Sequence, residues 1–159
     1  AWRLLGANGP ELLICGDGPL DDWSRKFAAD NKMTNVRFLG RVSNDQVRRL
    51  MATSRALILP TQCYEGFPLS IAESYSVGTP VLVSNLGNGG SLVKQGVTGL
   101  KFDPKSPQSI AKAVEKLETM EAVNWEENTR RVYDQALTPE KNYAALMEVY
   151  AAAREWSRK

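Results

Sequence analysis

The sequence predicts an α/β fold with a doubly wound, mostly parallel sheet that is incomplete at its N-terminus. Two observations carry this. Five short apolar runs recur over the first two thirds of the chain, at residues 12–15, 36–39, 56–59, 81–83 and 100–102, and several are apolar throughout rather than alternating, as for parallel strands covered on both faces. Segments of helical period separate them, and a strict alternation of strand and helix defines the doubly wound class.

Taken in order, residues 1–5 read as the tail of a helix without a beginning, although a doubly wound unit starts on a strand, so the chain is expected to be cut from something longer. After the first strand, residues 21–32 place Trp23, Phe27 and Ala28 on one inward side, with Leu20-Asp21 opening the helix in N-cap style. Ser43 with Gln46 fits a capping box, followed by a buried stripe of Val47, Leu50 and Met51. Residues 69–77 form a helix entered through Pro68 and stopped by Gly78. Beyond Phe102 the strand pattern ends. Residues 107–122, 124–137 and 139–156 read as three helices, the last with Tyr143, Leu146, Met147 and Tyr150 at i, i+3, i+4, i+7.

The chain has 159 residues, the size of one domain, with no internal repeat and no linker. A net charge of +2 argues against nucleic acid or any other extended polyanion as a partner. No histidine is present, which removes the commonest acid, base and zinc ligand. Cys15 and Cys63 have no C-x-x-C spacing, and Cys15 is expected as a buried reduced thiol. No apolar run approaches the ~18 residues of a membrane span. The first residues lack the pattern of a signal peptide, so a reducing, cytoplasmic setting is expected.

Ligands of open α/β sheets sit beyond the carboxyl ends of the strands. Gly16-Asp17-Gly18-Pro19 follows the first run, with glycines that permit a tight turn and close approach of a ligand, or simply an ordinary strand-to-helix turn. After the third run, residues 60–73 form a loop that passes directly into a helix and carry Glu65 and Glu73 eight residues apart. Glu118 with Glu126 and Glu140 with Glu148 share that spacing on helical faces. Context separates the first pair, because the helix start between its members offers the free amides of Leu69 and Ser70, with the Ser70 hydroxyl beside them, to a phosphate. Pro68 has no N–H to give. Carboxylates beside such a site suit hydroxyl donors. The ligand expected is therefore a nucleoside diphosphate sugar, with Glu65 toward the sugar and Glu73 toward the ribose. Read in isolation, each acid is better taken as an ordinary solvated side chain, and it is the Gly66-Phe67-Pro68 break between them that reverses this reading.

Together, the stretches EGFPLSIAE, SVGTPVLVSN, GVTGLKF, GDGP and NVRFLGRVSNDQV resemble, in order and over essentially the whole chain, the donor-binding C-terminal domain of GT-B retaining glycosyltransferases of family 4. The resemblance implies the Rossmann-like C-terminal half of that fold over residues 1–159, and retaining transfer of a hexose from a UDP- or GDP-linked donor in glycan biosynthesis. It implies Glu65 as the catalytic carboxylate. Gly66, Phe67, Leu69, Ser70 and Glu73 would hold the donor, with Gly16, Gly18 and Arg41 around the nucleotide. The glycine-rich loop 84–91 would close over the same place.

No Asp-x-Asp cluster is present, so a metal-free site without a further cofactor is expected. The implied partners are an N-terminal acceptor domain of the same enzyme and an acceptor glycan or lipid-linked glycan, with the full enzyme cytoplasmic or peripheral at the inner membrane face. Residues 139–159 would either reach that acceptor domain or pack on their own core. The chain departs from the family pattern in three ways. It lacks the opening strand and helix with their basic pair, it has Gly90-Ser91 where Pro-Glu is common, and it lacks the acceptor domain with its histidine, so alone it is expected to turn over poorly. The competing readings are a sugar-nucleotide 2-epimerase of similar fold and a nucleotide-binding module without chemistry.

Overall fold

The computed structural model describes residues 1–156 and has the α/β architecture. The elements run α1 (Trp2–Leu5), β1 (Leu12–Cys15), α2 (Asp21–Asp30), β2 (Val36–Gly40), α3 (Asn44–Thr53), β3 (Leu57–Leu59) and α4 (Leu69–Ser76). They continue β4 (Val81–Ser84), α5 (Gly87–Leu92), β5 (Gly99–Phe102), α6 (Pro107–Thr119), α7 (Trp125–Val132), a π-helical segment (Tyr133–Leu137) and α8 (Pro139–Trp156).

Every strand pair is parallel. The single sheet expected is instead divided into two ladders, β2-β1 and β3-β4-β5, with no hydrogen bonding between β1 and β3. In the three-stranded ladder the register sets Leu57 against Val81 and Val81 against Gly99. Alternation of side chains then separates two cores. Leu82, Leu100 and Phe102 face Trp2 of α1 and Ala113, Val114 and Leu117 of α6, with Leu12, Val36 and Ile58 at the margin. Val81 and Val83 face Ile71 and Tyr75 of α4, together with Leu57, Leu59 and Tyr133. All four residues of β4 are buried, as its continuous apolar run requires.

The Ser43–Gln46 capping box forms, with the Ser43 hydroxyl accepting from the Gln46 amide and the Gln46 side chain accepting from the Ser43 amide. In the stripe behind it Met51 is buried while Val47 and Leu50 are half-buried. Leu20 occupies the N-cap of α2 with no side-chain bond, and Asp21 pairs with Arg25 at 2.7 Å instead.

Other expectations are corrected. Cys15 is exposed, because it stands at the carboxyl end of β1, a strand with no neighbour on one side. Trp23 is 62 % exposed and stacks on Phe27 at 5.3 Å, since α2 covers only the two-stranded ladder and Ala28 alone of its inward stripe is fully buried. The loop expected at 84–91 contains helix α5. α6 ends at Thr119, and the helix expected over 124–137 changes to π geometry at Tyr133. In α8 the stripe of Tyr143, Leu146, Met147 and Tyr150 remains 43–64 % exposed, so it does not pack on this domain's core. Residues 157–159 of the expected last segment lie outside the described residues.

Candidate functional site

The carboxyl ends of the strands gather the loops singled out in the sequence. Between β1 and α2, Gly16 takes φ +112°, and its amide donates to the Gly40 carbonyl at 2.7 Å, with Gly40 itself at φ +65°. A Cβ at Gly16, Gly18 or Gly40 would meet nothing within 4 Å, so these turns border open space. Arg41 donates from Nε to both oxygens of Asp17 at 2.9 Å. The ion pair is exposed and ties the two loops together, a task the sequence reading did not assign to Asp17.

The loop between β3 and α4 carries the first acid. Glu65 is exposed and accepts a hydrogen bond from the Thr61 hydroxyl at 3.2 Å, while that hydroxyl also accepts from the Cys63 amide at 3.4 Å. Gly66 has open space where a Cβ would stand, and its carbonyl accepts from Asn88 Nδ2 at 2.6 Å. Phe67 is 46 % exposed and Pro68 is buried against Gly89, whose Cβ would lie 3.7 Å from the proline ring. Tyr64 lies over Gly87, 3.0 Å from the place of a Cβ there. Residues of α5 thus grip the loop at three points.

α4 begins at Leu69 with Pro68 as N-cap and no side-chain cap. The first bond back across this turn is from the Ile71 amide to the Pro68 carbonyl. Among the described residues nothing accepts from the amides of Leu69 and Ser70, the pattern of a helix start left for solvent or a ligand. Ile71, Ser74 and Tyr75 face inward, which turns Leu69 and Glu73, four residues apart, to the exposed side. Glu73 is exposed one turn into α4. It forms no ion pair or side-chain hydrogen bond among the described residues.

Glu65 in the loop, the two amides at the start of α4 and Glu73 one turn further on thus follow one another along an exposed stretch of chain, the ledge at the start of α4. A cavity of about 360 Å³ lies at the opposite end of the strands, lined by Arg55, Thr79, Pro80, Trp125 and Glu126. One of about 320 Å³ lies between α2 and β2. Neither touches Glu65 or Glu73. Thr61, Asp17 and Asn88 are the participants that sequence reasoning missed. A threonine four residues before a loop glutamate was the one visible hint.

The parallel ladders, the helix start beyond β3 and the loops beyond β1 and β2 are the arrangement of a GT-B glycosyltransferase half. Sucrose-phosphate synthase from Thermosynechococcus elongatus superposes with a TM-score of 0.81 at 20 % identity, over 97 % of this chain and 42 % of that one. Anabaena HepE, solved in complex with UDP-glucose, gives 0.81 at 20 % identity over 95 % of this chain and 44 % of its own. Residues 1–137 match the family Glycosyl transferases group 1, and the chain belongs to that family. Glycogen synthase of Mycobacterium tuberculosis is 30 % identical over 155 residues, 94 % of this chain. The chain spans 30–37 % of the length of the first curated relatives it matches.

Proposed function

We propose that this chain is the donor-binding domain of a retaining glycosyltransferase of family 4 and that it binds a UDP- or GDP-linked sugar on the ledge at the start of α4. The observation that carries the reading is the pair of unpartnered amides at Leu69 and Ser70 with an exposed carboxylate on each side. The amides and the positive end of the helix suit the distal phosphate. Glu73, exposed one turn further along α4, takes the ribose diol. Glu65, held by Thr61, takes the sugar hydroxyls, with Gly66 and Phe67 beside it. Gly16, Gly18 and Arg41 border the nucleotide, with Arg41 already oriented by Asp17. That HepE was solved with UDP-glucose favours UDP as the first nucleotide to test.

In transfer, the bond from the anomeric carbon to the diphosphate oxygen breaks and a bond to an acceptor hydroxyl forms with the configuration retained. Negative charge grows on the departing phosphate, and amides fixed before the reaction stabilise it without reorganising. Loss of one such donor typically costs about 3 kcal/mol. The reading calls on backbone amides rather than a metal at the phosphate. The acceptor hydroxyl, on a glycan or lipid-linked glycan, would come from a further domain of the same enzyme, working in the cytoplasm or at the inner face of the membrane. Among the described residues no helix is long and apolar enough to cross a bilayer.

Calorimetric titration with UDP, GDP and their sugars tests the reading. Glu73→Ala is expected to weaken bare nucleotide and nucleotide sugar together, and Glu65→Ala to weaken only the increment due to the sugar. Each loss should be ~1.5–3 kcal/mol, the worth of a hydrogen bond to a charged group. Equal loss of bare nucleotide affinity in both variants would overturn this division of roles. Binding with no transfer to any acceptor in the full-length enzyme would favour the non-catalytic module, and inversion at sugar carbon 2 the epimerase.

A further inference from the structure

We infer that the cavity at the amino ends of β3 and β4 is a second ligand site, built to take an uncharged saccharide. It lies at the end of the strands away from Glu65 and Glu73, so the inference goes beyond the proposed donor site.

The lining is held in place by the fold itself. Thr79 is buried with every polar group engaged: its amide donates to the Ser74 carbonyl at 3.0 Å, its hydroxyl donates to the Met51 carbonyl at 2.7 Å, and its carbonyl accepts from the Ser74 hydroxyl at 2.9 Å. Buried Leu117 and half-buried Trp125 supply an apolar wall. Glu126 is placed by packing. A Cβ on Gly78 would fall 2.6 Å from the Glu126 Cγ and 3.5 Å from its Cα, so the start of α7 rests on the bare backbone of this turn, where Gly78 has φ +81°. Groups fixed in this way lose little freedom when a ligand binds.

The polar groups left over select the ligand. Among the described residues the Trp125 indole N–H and the Glu126 carboxylate have no hydrogen-bond partner, and Arg55 has only its Nε engaged, by Glu118 at 3.5 Å. The indole nitrogen is open to solvent, because the one orphaned side-chain atom that is buried, among the described residues, is Asn35 Oδ1. Two donors and one acceptor thus belong to residues lining one cavity. A phosphate only accepts and an ammonium only donates, so either would leave part of this set unmet. Hydroxyl groups do both. Among the described residues of the lining Arg55 and Glu126 alone are charged, and their charges cancel, so the cavity favours no net charge in its ligand. A sugar ring adds a C–H face that packs on an aromatic wall while its hydroxyls meet the polar groups. At about 360 Å³ the cavity stands at the low end of the ~300–1,000 Å³ of small-molecule sites, room for a short saccharide.

The test is a titration followed by NMR, read at the indole N–H of Trp125, which Trp125→Phe assigns, and at the amides of Gly78 and Glu126. Maltotriose and mannotriose probe for a saccharide, and inorganic phosphate, spermidine and phenylalanine for an anion, a cation and a zwitterion. At least one trisaccharide is expected to shift these signals to saturation while the amides of Leu69 and Ser70 stay unmoved, with every charged probe binding more weakly. Glu126→Gln should weaken the saccharide at least ~5-fold, the cost of exchanging a charged acceptor for a neutral one. Arg55→Ala should weaken it at least ~10-fold through loss of a charged donor. Both side chains are exposed, and an unchanged thermal midpoint verifies that each variant is folded. No shift with either trisaccharide at ~50 mM, which excludes even millimolar affinity, would overturn the inference. So would tighter binding of any charged probe, unaltered affinity in both variants, or shifts confined to Leu69 and Ser70, which would put the sugar on the ledge. UDP should leave the Trp125, Gly78 and Glu126 signals in place. Its failure to bind anywhere would remove the donor reading and leave this result untouched.

Discussion

Gly87 shows how single residues hold the ledge. Its φ of +54° lies in the left-handed region, and the exposed Tyr64 ring, 3.0 Å from a would-be Cβ, would have to move aside for any side chain. Gly87→Ala is expected to cost ~1–2 kcal/mol through the left-handed backbone and to displace Tyr64, measured as a lower urea midpoint together with faster proteolysis within residues 61–68. Asn88 acts on the same loop through its bond to the Gly66 carbonyl. Asn88→Ala should lower stability by no more than ~1 kcal/mol, because the group is exposed, while weakening donor binding several-fold by releasing the loop. Titration of the folded variant separates the two effects. The resemblance placed the loop 84–91 over the site, but these two contacts were not legible. Both contacts depend on a loop and a helix brought together across the strand ends, and composition carries no trace of that.

At the scale of elements, what the sequence announced was local chemistry. The capping box at Ser43 formed because donor and acceptor lie three residues apart. Ser43→Ala is expected to cost about 1 kcal/mol, read from chemical denaturation. The helix α5 was missed because Gly87-Asn88-Gly89-Gly90 has poor intrinsic helix propensity. At Gly89 a Cβ would find ordinary contact with Val83 and Pro68, whereas at Gly90 it would come within 3.3 Å of the Asn85 backbone, which would have to give way. At β5 the constraint is harsher. A Cβ on Gly99 would fall 1.9 Å from the Val81 carbonyl oxygen, so Gly99→Ala must part β4 from β5. A loss of at least ~3 kcal/mol is expected, at the upper end for overpacking, and retention of wild-type thermal stability would contradict the pairing.

For the whole molecule, the core under α4 makes stability depend on alkaline pH. The Tyr75 hydroxyl donates to Thr98 Oγ1 at 2.6 Å in a fully buried site. Burial pushes its pKa from 10.0 up to about 12, against the smaller opposing effect of the Thr98 hydrogen bond. The folded value is the higher one, so the phenol stays neutral in the fold while the unfolded chain ionises. Its contribution is complete below pH 10 and is lost as pH rises toward 12, by ~1.4 kcal/mol per pH unit at most. Denaturant titrations at pH 9, 10 and 11 should show this fall, and Tyr75→Phe should flatten it.

The apolar runs and the helical periods decided the α/β class and the order of elements, because backbone pairing and burial act on patterns readable within ten or so residues. The acids at positions 65 and 73, with the proline and amides between them, were likewise legible as a loop running into a helix. Tertiary structure alone decided that the strands form two ladders, that Cys15 and Trp23 face solvent, that Arg41 is held by Asp17, and that α5 clamps the loop of Glu65. Each of these depends on which surfaces other segments cover, and coverage is a property of the assembled layers rather than of any stretch of sequence.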